Sequence, residues 1–166
     1  MVAHHGIVPR VHPSVFVADG AWVIGDVEIG PESSIWYGAV LRGDINGIRV
    51  GARTNIQDGA VLHVTKELAV WIGDDVTVGH QAMIHGCRVA NGALIGMSAV
   101  VLDNARIGEC ALVAAGSVVL ENFVVPDGSL VAGVPARVVR MLTDEERGEL
   151  LRSAANYVGY ARSYRP

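Results

Sequence analysis

Three histidines in this 166-residue chain stand where a six-residue pattern of aliphatic residues could bring them to one metal ion. His63 and His85 each follow an aliphatic residue of that pattern, whereas His80 falls at a different position within it. Imidazole is a common ligand of zinc, and a catalytic zinc site uses three protein ligands and keeps one position open. Whether the three side chains meet depends on the elements that carry them.

The six-residue pattern covers most of the chain and is typical of a parallel β-helix. In such a fold each hexad forms one short strand, three hexads close a triangular coil, and the inward aliphatic residues of successive coils stack. A β-sandwich would instead show turn signals every 8–12 residues or so, without a fixed phase. We therefore expect an all-β solenoid of about seven coils over residues 11–136. The inward positions are Val11, Val17, Val23, Ile29, Ile35, Leu41, Val50, Ile56, Leu62, Ile72, Val78, Ile84, Val89, Ile95, Val101, Ile107, Val113, Val119, Val125 and Val131.

The pattern is interrupted three times in one part of the chain. Extra residues follow Leu41 and Leu62, and one residue is missing after Ile84. Insertions in a solenoid become loops on one face, which is often the binding face. We expect residues 46–48 and 65–69 to bulge from corners, close to any functional site.

The repeat also predicts which histidines stack. Counting hexads from Leu41, we label the three faces of the prism A, B and C in chain order. His63 and His85 then occupy the same outward position of face A on successive coils, about 4.8 Å apart. His80 lies on face C, across a corner. A threefold homotrimer, with face A of one prism against face C of the next, would unite two histidines of one chain with a third from its neighbour.

Polar residues surround this inferred site. Arg42 takes the outward face A position one coil below the first histidine, and Asp44 follows it. Gln57 and Asp58 lie on face C, with Asp58 one coil below the third histidine. Histidines that bind metals need carboxylate or carbonyl partners to fix the tautomer, and these residues could supply them.

Composition narrows the class of protein. With 13 basic and 17 acidic residues the chain carries a formal charge of -4, which argues against a nucleic-acid binder. The sequence is 51% hydrophobic but only 5% aromatic and has 20 glycines, which suits a narrow interior with tight corners. It shows no apolar run of roughly 18 residues and no secretory signal. Cys87 and Cys110 are too few for a disulfide framework. We expect a cytoplasmic protein without a membrane partner.

Residues 143–164 have the pattern of one amphipathic helix. Thr143 and Glu146 form a capping box, with the glutamate three residues after the cap. Apolar residues then recur at helical spacing, as in Leu150, Ala154 and Val158. We expect this helix to pack along the prism or against a neighbour, and residues 1–166 to form a single domain.

Several segments around these residues resemble the γ-class carbonic anhydrases and their homologues, some of which are labelled ferripyochelin-binding. The resemblance extends over nearly the whole chain. It implies a left-handed parallel β-helix and a homotrimer with three sites between subunits. It also implies that His63 and His85 of one subunit and His80 of the adjacent subunit bind Zn²⁺, with Fe²⁺ or Co²⁺ as alternatives. The segments are Leu41-Arg42-Gly43-Asp44, Thr54-Asn55-Ile56-Gln57-Asp58-Gly59, Gly79-His80, His85-Gly86-Cys87 and residues 132–137.

The resemblance also implies roles for the polar residues. Arg42 and Asp44 would form an ion pair between subunits, and Gln57 would orient a metal-bound hydroxide. Asn55 and Asp58 would lie nearby, in contact with bicarbonate and water. These roles belong to the reversible hydration of CO₂ to bicarbonate at the trimer interface, where zinc lowers the pKa of its bound water to about 7.

Two further features concern proton transfer. Tyr157 resembles a tyrosine of the C-terminal helix that reaches the site in some family members. Active members carry acidic residues just after the Arg-Gly-Asp segment and in a loop after the first histidine. This chain has Ile45 at the first place and a short stretch containing Glu67 at the second, so Glu67 is the acidic residue available there.

Other functions fit the same repeat. A hexapeptide-repeat acyltransferase, or a thioesterase, would act on CoA esters and would need only one histidine as a general base. A third alternative is a structural or assembly subunit that binds a metal without catalysis. CoA-dependent transfer that persists after chelation would favour the acyltransferase. Replacing His85 with Ala separates the assembly role from catalysis, because loss of the trimer, retained partner binding and loss of hydration alone have different meanings.

Overall fold

Each hexad folds as a short strand that pairs in parallel with the hexad one coil further along the chain. The computed structural model describes residues 1–164. It has about seven coils followed by a single helix, which confirms the predicted left-handed parallel β-helix with a C-terminal helix. The last two residues of the predicted single domain, 165 and 166, lie outside the described residues.

Most of the strands are only two or three residues long because they end at a corner of the prism. They are β1 (Arg10–Val11), β2 (Phe16–Val17), β3 (Trp22–Ile29), β4 (Ser34–Ile35), β5 (Val40–Val50), β6 (Asn55–Ile56), β7 (Val61–His63), β8 (Val70–Ile72), β9 (Thr77–Val78), β10 (Met83–His85), β11 (Arg88–Val89), β12 (Leu94–Ile95), β13 (Val100–Val101), β14 (Arg106–Ile107), β15 (Leu112–Val113), β16 (Val118–Val119), β17 (Val124–Val125), β18 (Ser129–Gly133) and β19 (Ala136–Met141). The helix is α1 (Asp144–Ser163).

The strands form two sheets that correspond to the three predicted faces. Faces A and B join into one 11-stranded sheet, since β3 and β5 run through the corner between them. Face C is an 8-stranded sheet that begins at β2 and ends at β19. The core is the column of inward aliphatic side chains between the faces. Leu41, Leu62 and Ile84, on three successive coils, are each 0% exposed. This thin column explains the scarcity of aromatic residues.

The two insertions form loops at the corner between faces A and B. Residues 44–47 lie opposite the single residue Asp26 of the preceding coil. Ile48 was expected within this bulge, and that prediction was wrong: its side chain is fully buried and it pairs with Val70 on the next coil. The second loop follows His63 as predicted and contacts the first, because the Asn46 side-chain amide donates to the Lys66 carbonyl oxygen over 3.1 Å.

The end of the solenoid departs from the repeat. After β18 the chain turns back as β19, an antiparallel strand that the six-residue pattern does not predict. The predicted capping box then starts α1, with the Thr143 hydroxyl accepting from the Glu146 N–H. The helix packs on β4, β6 and β9 of face C, and its buried residues include Leu150 and Ala154. Within residues 1–164, no helix has the length and hydropathy needed to cross a membrane.

The helix cap gives a first testable prediction. Thr143→Ala removes the hydroxyl that satisfies an N–H of the first turn, so we expect the free energy of unfolding to fall by about 1 kcal/mol. Urea unfolding followed by circular dichroism measures the change. Thr143→Ser keeps the hydroxyl and should retain most of the stability. Equal losses in both variants would contradict the capping role.

The outward sides of the three faces differ in chemistry. Face C is covered by α1. Face B presents mainly arginines and acidic residues, with Trp71 between Arg49 and Arg88 on neighbouring coils. Face A presents a column of apolar side chains, here called the apolar column, in which Trp22 is 52% and Met83 36% exposed. The apolar column consists of Trp22, Val40, Val61, Met83, Val100 and Val118.

Candidate metal centre

His63 and His85 lie side by side at the ends of β7 and β10, as the repeat predicts. The two residues are register partners, and Arg42 is the partner of His63 on the coil below. Leu62 and Ile84 point into the core just before them, which turns both imidazoles outward. His63 Nδ1 and His85 Nε2 face each other at 3.1 Å. Two nitrogens on one tetrahedral zinc ion, with bonds of about 2.0–2.1 Å, lie about 3.4 Å apart. The pair therefore fits two adjacent positions of such an ion.

Asp44 holds the far side of the His63 ring. Its Oδ1 lies 3.1 Å from His63 Nε2, and its Oδ2 accepts a hydrogen bond from Arg42 Nη1 over 2.5 Å. The structure thus pairs Arg42 and Asp44 within one chain, whereas the resemblance implies a pair between subunits. Partial burial of Asp44 opposes its ionisation, but the hydrogen bonds from Arg42 and His63 outweigh this effect and lower its pKa. Asp44 is therefore a carboxylate at neutral pH.

Asp103 holds the far side of the His85 ring, and sequence reasoning missed it. Its Oδ1 lies 2.5 Å from His85 Nδ1. Asp103 is the third residue of the face A hexad that begins at Val101, one coil above His85, whereas Asp44 and Asp58 each lie one coil below their histidine. Burial, and then the charge of Asp103, raise the pKa of the neighbouring Cys87 thiol to about 12. Cys87 is therefore not a nucleophile, whereas Cys110 is partly exposed at a corner.

His80 lies apart from the other two histidines. It follows β9 at the corner between faces C and A, and its side chain is 43% exposed. Its Nδ1 lies 2.9 Å from Asp58 Oδ2. Asp58, which the repeat predicts to stack one coil below His80, is thus in direct contact with it. Because α1 covers face C, a neighbouring subunit could approach His80 at this corner but not across face C, where the sequence predicts the contact. Among residues 1–164, no three His, Cys, Asp or Glu side chains are grouped closely enough to hold a metal ion.

Gln57 and Asn55 form a rigid polar pair below His80. Gln57 Nε2 donates to Asn55 Oδ1 over 2.9 Å, and Asn55 Nδ2 donates to the Thr77 hydroxyl over 3.0 Å. Asn55 is 0% and Gln57 5% exposed. The hydrogen bond to Asn55 therefore fixes the orientation of the Gln57 amide group. Its nitrogen is occupied by Asn55, and its carbonyl oxygen lies on the opposite side of the amide.

Tyr157 lies on α1 near the same corner. Its ring packs edge-on against Trp36, with centroids 5.5 Å apart. Burial is the main cause that raises its pKa, and the nearby charge of Asp58 adds to the effect. The phenol is therefore protonated at neutral pH and can donate a hydrogen bond. The structure thus gathers Tyr157, Asp58, Gln57 and His80 at one corner.

Relatives that are similar in sequence over most of this chain are named as carbonic anhydrases. A protein named carbonic anhydrase from Geobacillus kaustophilus is 46% identical over 162 residues, which are 98% of this chain and 89% of that protein. Gamma carbonic anhydrase 2, mitochondrial, from Arabidopsis thaliana is 51% identical over 160 residues. The chain belongs to the γ-class carbonic anhydrase family.

The fraction of a relative's length that this chain covers differs from one relative to another. The alignment with the Arabidopsis protein takes in 93% of this chain but 58% of that relative, so the chain spans little more than half of it. No family model matches the chain. Among solved structures, a hexapeptide transferase family protein from Anaplasma phagocytophilum superposes with a TM-score of 0.96 at 44% identity. That match covers 99% of this chain and 97% of the other, so the γ-class fold is shared with a protein named as a transferase.

Proposed function

We propose that this protein catalyses the reversible hydration of CO₂ to bicarbonate at a metal centre between the subunits of a homotrimer. His63 and His85 of one subunit and His80 of the next supply three imidazoles and leave one position open for the reactant oxygen. Three nitrogen ligands with an open position suit Zn²⁺ best, and imidazole also binds Fe²⁺ and Co²⁺.

One observation carries the proposal: the facing nitrogens of His63 and His85 are 3.1 Å apart while a carboxylate holds the opposite nitrogen of each ring. Metal-binding histidines typically donate their second N–H to a carboxylate, which fixes the tautomer and makes the imidazole a better donor. A pair of surface histidines without such partners would rotate freely.

The unequal faces of the prism support the homotrimer. Face C is covered by α1, and face B is charged. Face A combines the apolar column, in which Trp22 and Met83 are exposed, with the two stacked histidines. Contiguous exposed apolar side chains are often part of a protein interface. A second copy that covers face A and brings its C–A corner forward would complete the three histidines with its own His80.

The chain's own residues would support the reaction as follows. A bound zinc ion supplies hydroxide at neutral pH, since it lowers the pKa of a water ligand to about 7. Gln57, held by Asn55, would accept a hydrogen bond at a fixed point and so orient the reactant oxygen. Asp58 and the protonated Tyr157 would bind bicarbonate and water at the same corner. Asp44 would keep His63 oriented while Arg42 neutralises its charge.

The proton released by hydration must reach solvent. Glu67 lies in the exposed loop after His63, where Thr65 Oγ1 accepts from the backbone N–H of Glu67 and of Leu68. Ile45, beside Asp44, is 51% exposed but cannot carry a proton. Glu67 is therefore the acidic residue that this region offers as a proton acceptor, with buffer in solution as the alternative.

The decisive experiment measures metal content and CO₂ hydration on one preparation. We expect about one zinc or iron ion per chain, CO₂ hydration well above the buffer rate, and loss of both on chelation with recovery on adding zinc. Hydration at the buffer rate by zinc-loaded or anaerobically iron-loaded trimer would contradict the proposal. Zinc bound without hydration would instead favour the structural or assembly role.

The likeness to the Anaplasma transferase-family protein keeps CoA-ester chemistry as a second candidate. In that case His85 or His80 would act as a general base, and acyl transfer or thioester hydrolysis would continue after chelation. The carboxylate on each of the three histidines favours metal binding instead. The cytoplasm remains our prediction for the compartment, although the Arabidopsis relative is named as mitochondrial.

A further inference from the structure

We propose that Asp103 is the positioning residue that orients His85 for metal binding, and that residue 86 is glycine because a side chain there would displace the Asp103 carboxylate. This inference rests on the proposed metal centre and assigns it a residue from a fourth coil. The centre then extends over the coils of Asp44, His63, His85 and Asp103.

The first support is the contact itself. Asp103 Oδ1 lies 2.5 Å from His85 Nδ1, and both side chains are about one-third exposed, at 30% and 31%. With Nδ1 engaged, the tautomer of His85 leaves its Nε2 lone pair free, and Nε2 is the atom that faces His63. The carboxylate therefore determines both the orientation of the His85 ring and which of its nitrogens can bind the metal.

The second support is the backbone between the two residues. The Gly86 N–H donates to the His63 carbonyl oxygen over 3.0 Å, and the Gly86 carbonyl oxygen accepts from the Asn104 N–H over 2.8 Å. These bonds tie residue 86 to the coil below and the coil above. Asp103, which precedes Asn104, is thus held at a fixed height relative to the histidine pair.

The third support is the space that Gly86 leaves. A Cβ atom built on Gly86 would lie 2.7 Å from Asp103 Oδ1, closer than real contacts allow. Its φ of +49° is also a conformation that glycine adopts without cost. Because the atom in closest contact is the tip of a side chain, an alanine here would push the Asp103 carboxylate aside, and it would also approach Leu68 Cβ to 3.2 Å.

Asp103 and Asp44 are not equivalent partners. Asp44 shares its carboxylate between His63 and the Arg42 guanidinium, whereas within residues 1–164 no lysine or arginine forms an ion pair with Asp103. The carboxylate beside His85 is therefore less neutralised than the one beside His63. This makes the His85 imidazole the stronger metal ligand of the two histidines. We expect loss of Asp103 to weaken metal binding at least as much as loss of Asp44.

The test measures zinc affinity by competition with a chromophoric chelator, using the full-length trimer. Asp103→Ala is expected to bind Zn²⁺ about 10–100-fold more weakly than wild type, and Asp103→Asn, which keeps an acceptor without the charge, should fall in between. Gly86→Ala should also weaken binding although Asp103 is still present. The visible spectrum of the Co²⁺-loaded protein should shift in the same variants, which a loss of stability alone would not cause.

Asp75→Asn is the matched control. Its carboxylate is 31% exposed and pairs with Arg53 at a corner away from the histidines. It should bind zinc as wild type does. Wild-type affinity in Asp103→Ala, or equal weakening in Asp75→Asn, would overturn the role of Asp103, and wild-type affinity in Gly86→Ala would overturn the role of the glycine. Wild-type protein that binds no zinc would refute the metal centre itself, so the two failures are distinct.

Discussion

Trimers assembled from a mixture of two inactive variants are expected to regain activity. His80→Ala leaves the His63–His85 pair intact, and His85→Ala leaves His80 intact. Each variant alone lacks one ligand at every site and should lose CO₂ hydration to the buffer rate. After joint unfolding and reassembly in equal amounts, a site is complete where an intact pair meets an intact His80. Random assembly gives about one site in four, so about a quarter of wild-type activity should return.

A second mixture controls for this result. His63→Ala and His85→Ala damage the same half of the site, so no neighbouring chain can replace the missing ligand, and their mixture should stay inactive. Zinc content after mixing provides a measurement independent of turnover. Recovery in the control mixture, or no recovery in the first mixture, would contradict the assignment of His80 to the adjacent subunit.

The register of the site was predictable because burial specifies it. A shift of one residue would turn every inward aliphatic side chain of a strand out to solvent, so the pattern around Leu41, Leu62 and Ile84 fixes which residues stack. For that reason the pairing of His63 with His85, and the position of Asp58 beside His80, could be derived by counting hexads. The capping box located the start of α1 in the same way, through a local hydrogen-bond pattern.

The errors arise where the repeat carries no information. β19 pairs antiparallel, so its residues follow hairpin geometry and not the six-residue pattern. Ile48 was placed in a bulge because counting shows how many residues are extra but not which of them return to the core. The amphipathic pattern of α1 predicts a packed face but does not say which side of the prism receives it. Asp103 could have been predicted, because it is the third residue of its face A hexad, the same position that Asp58 occupies in its face C hexad.

A single charge in the apolar column is expected to dissociate the trimer. Met83 lies between Val61 and Val100 on neighbouring coils, and at 36% exposure its side chain can accept a charge in an isolated chain without strain. In the assembled trimer, Met83→Glu would bury a carboxylate without a partner, which costs several kcal/mol and weakens association roughly a hundredfold or more. Light scattering should find monomers at micromolar concentration.

Dissociation of the Met83→Glu trimer should also weaken zinc binding. Because the monomeric variant keeps His63 and His85 but lacks the neighbour's His80, its zinc affinity should fall together with its assembly, and both should recover at high protein concentration. Arg88→Glu makes a larger change of charge on face B and should remain a zinc-loaded trimer. A Met83→Glu monomer with wild-type zinc affinity would show that one chain suffices for the site, whereas dissociation of Arg88→Glu would place the subunit contact on face B.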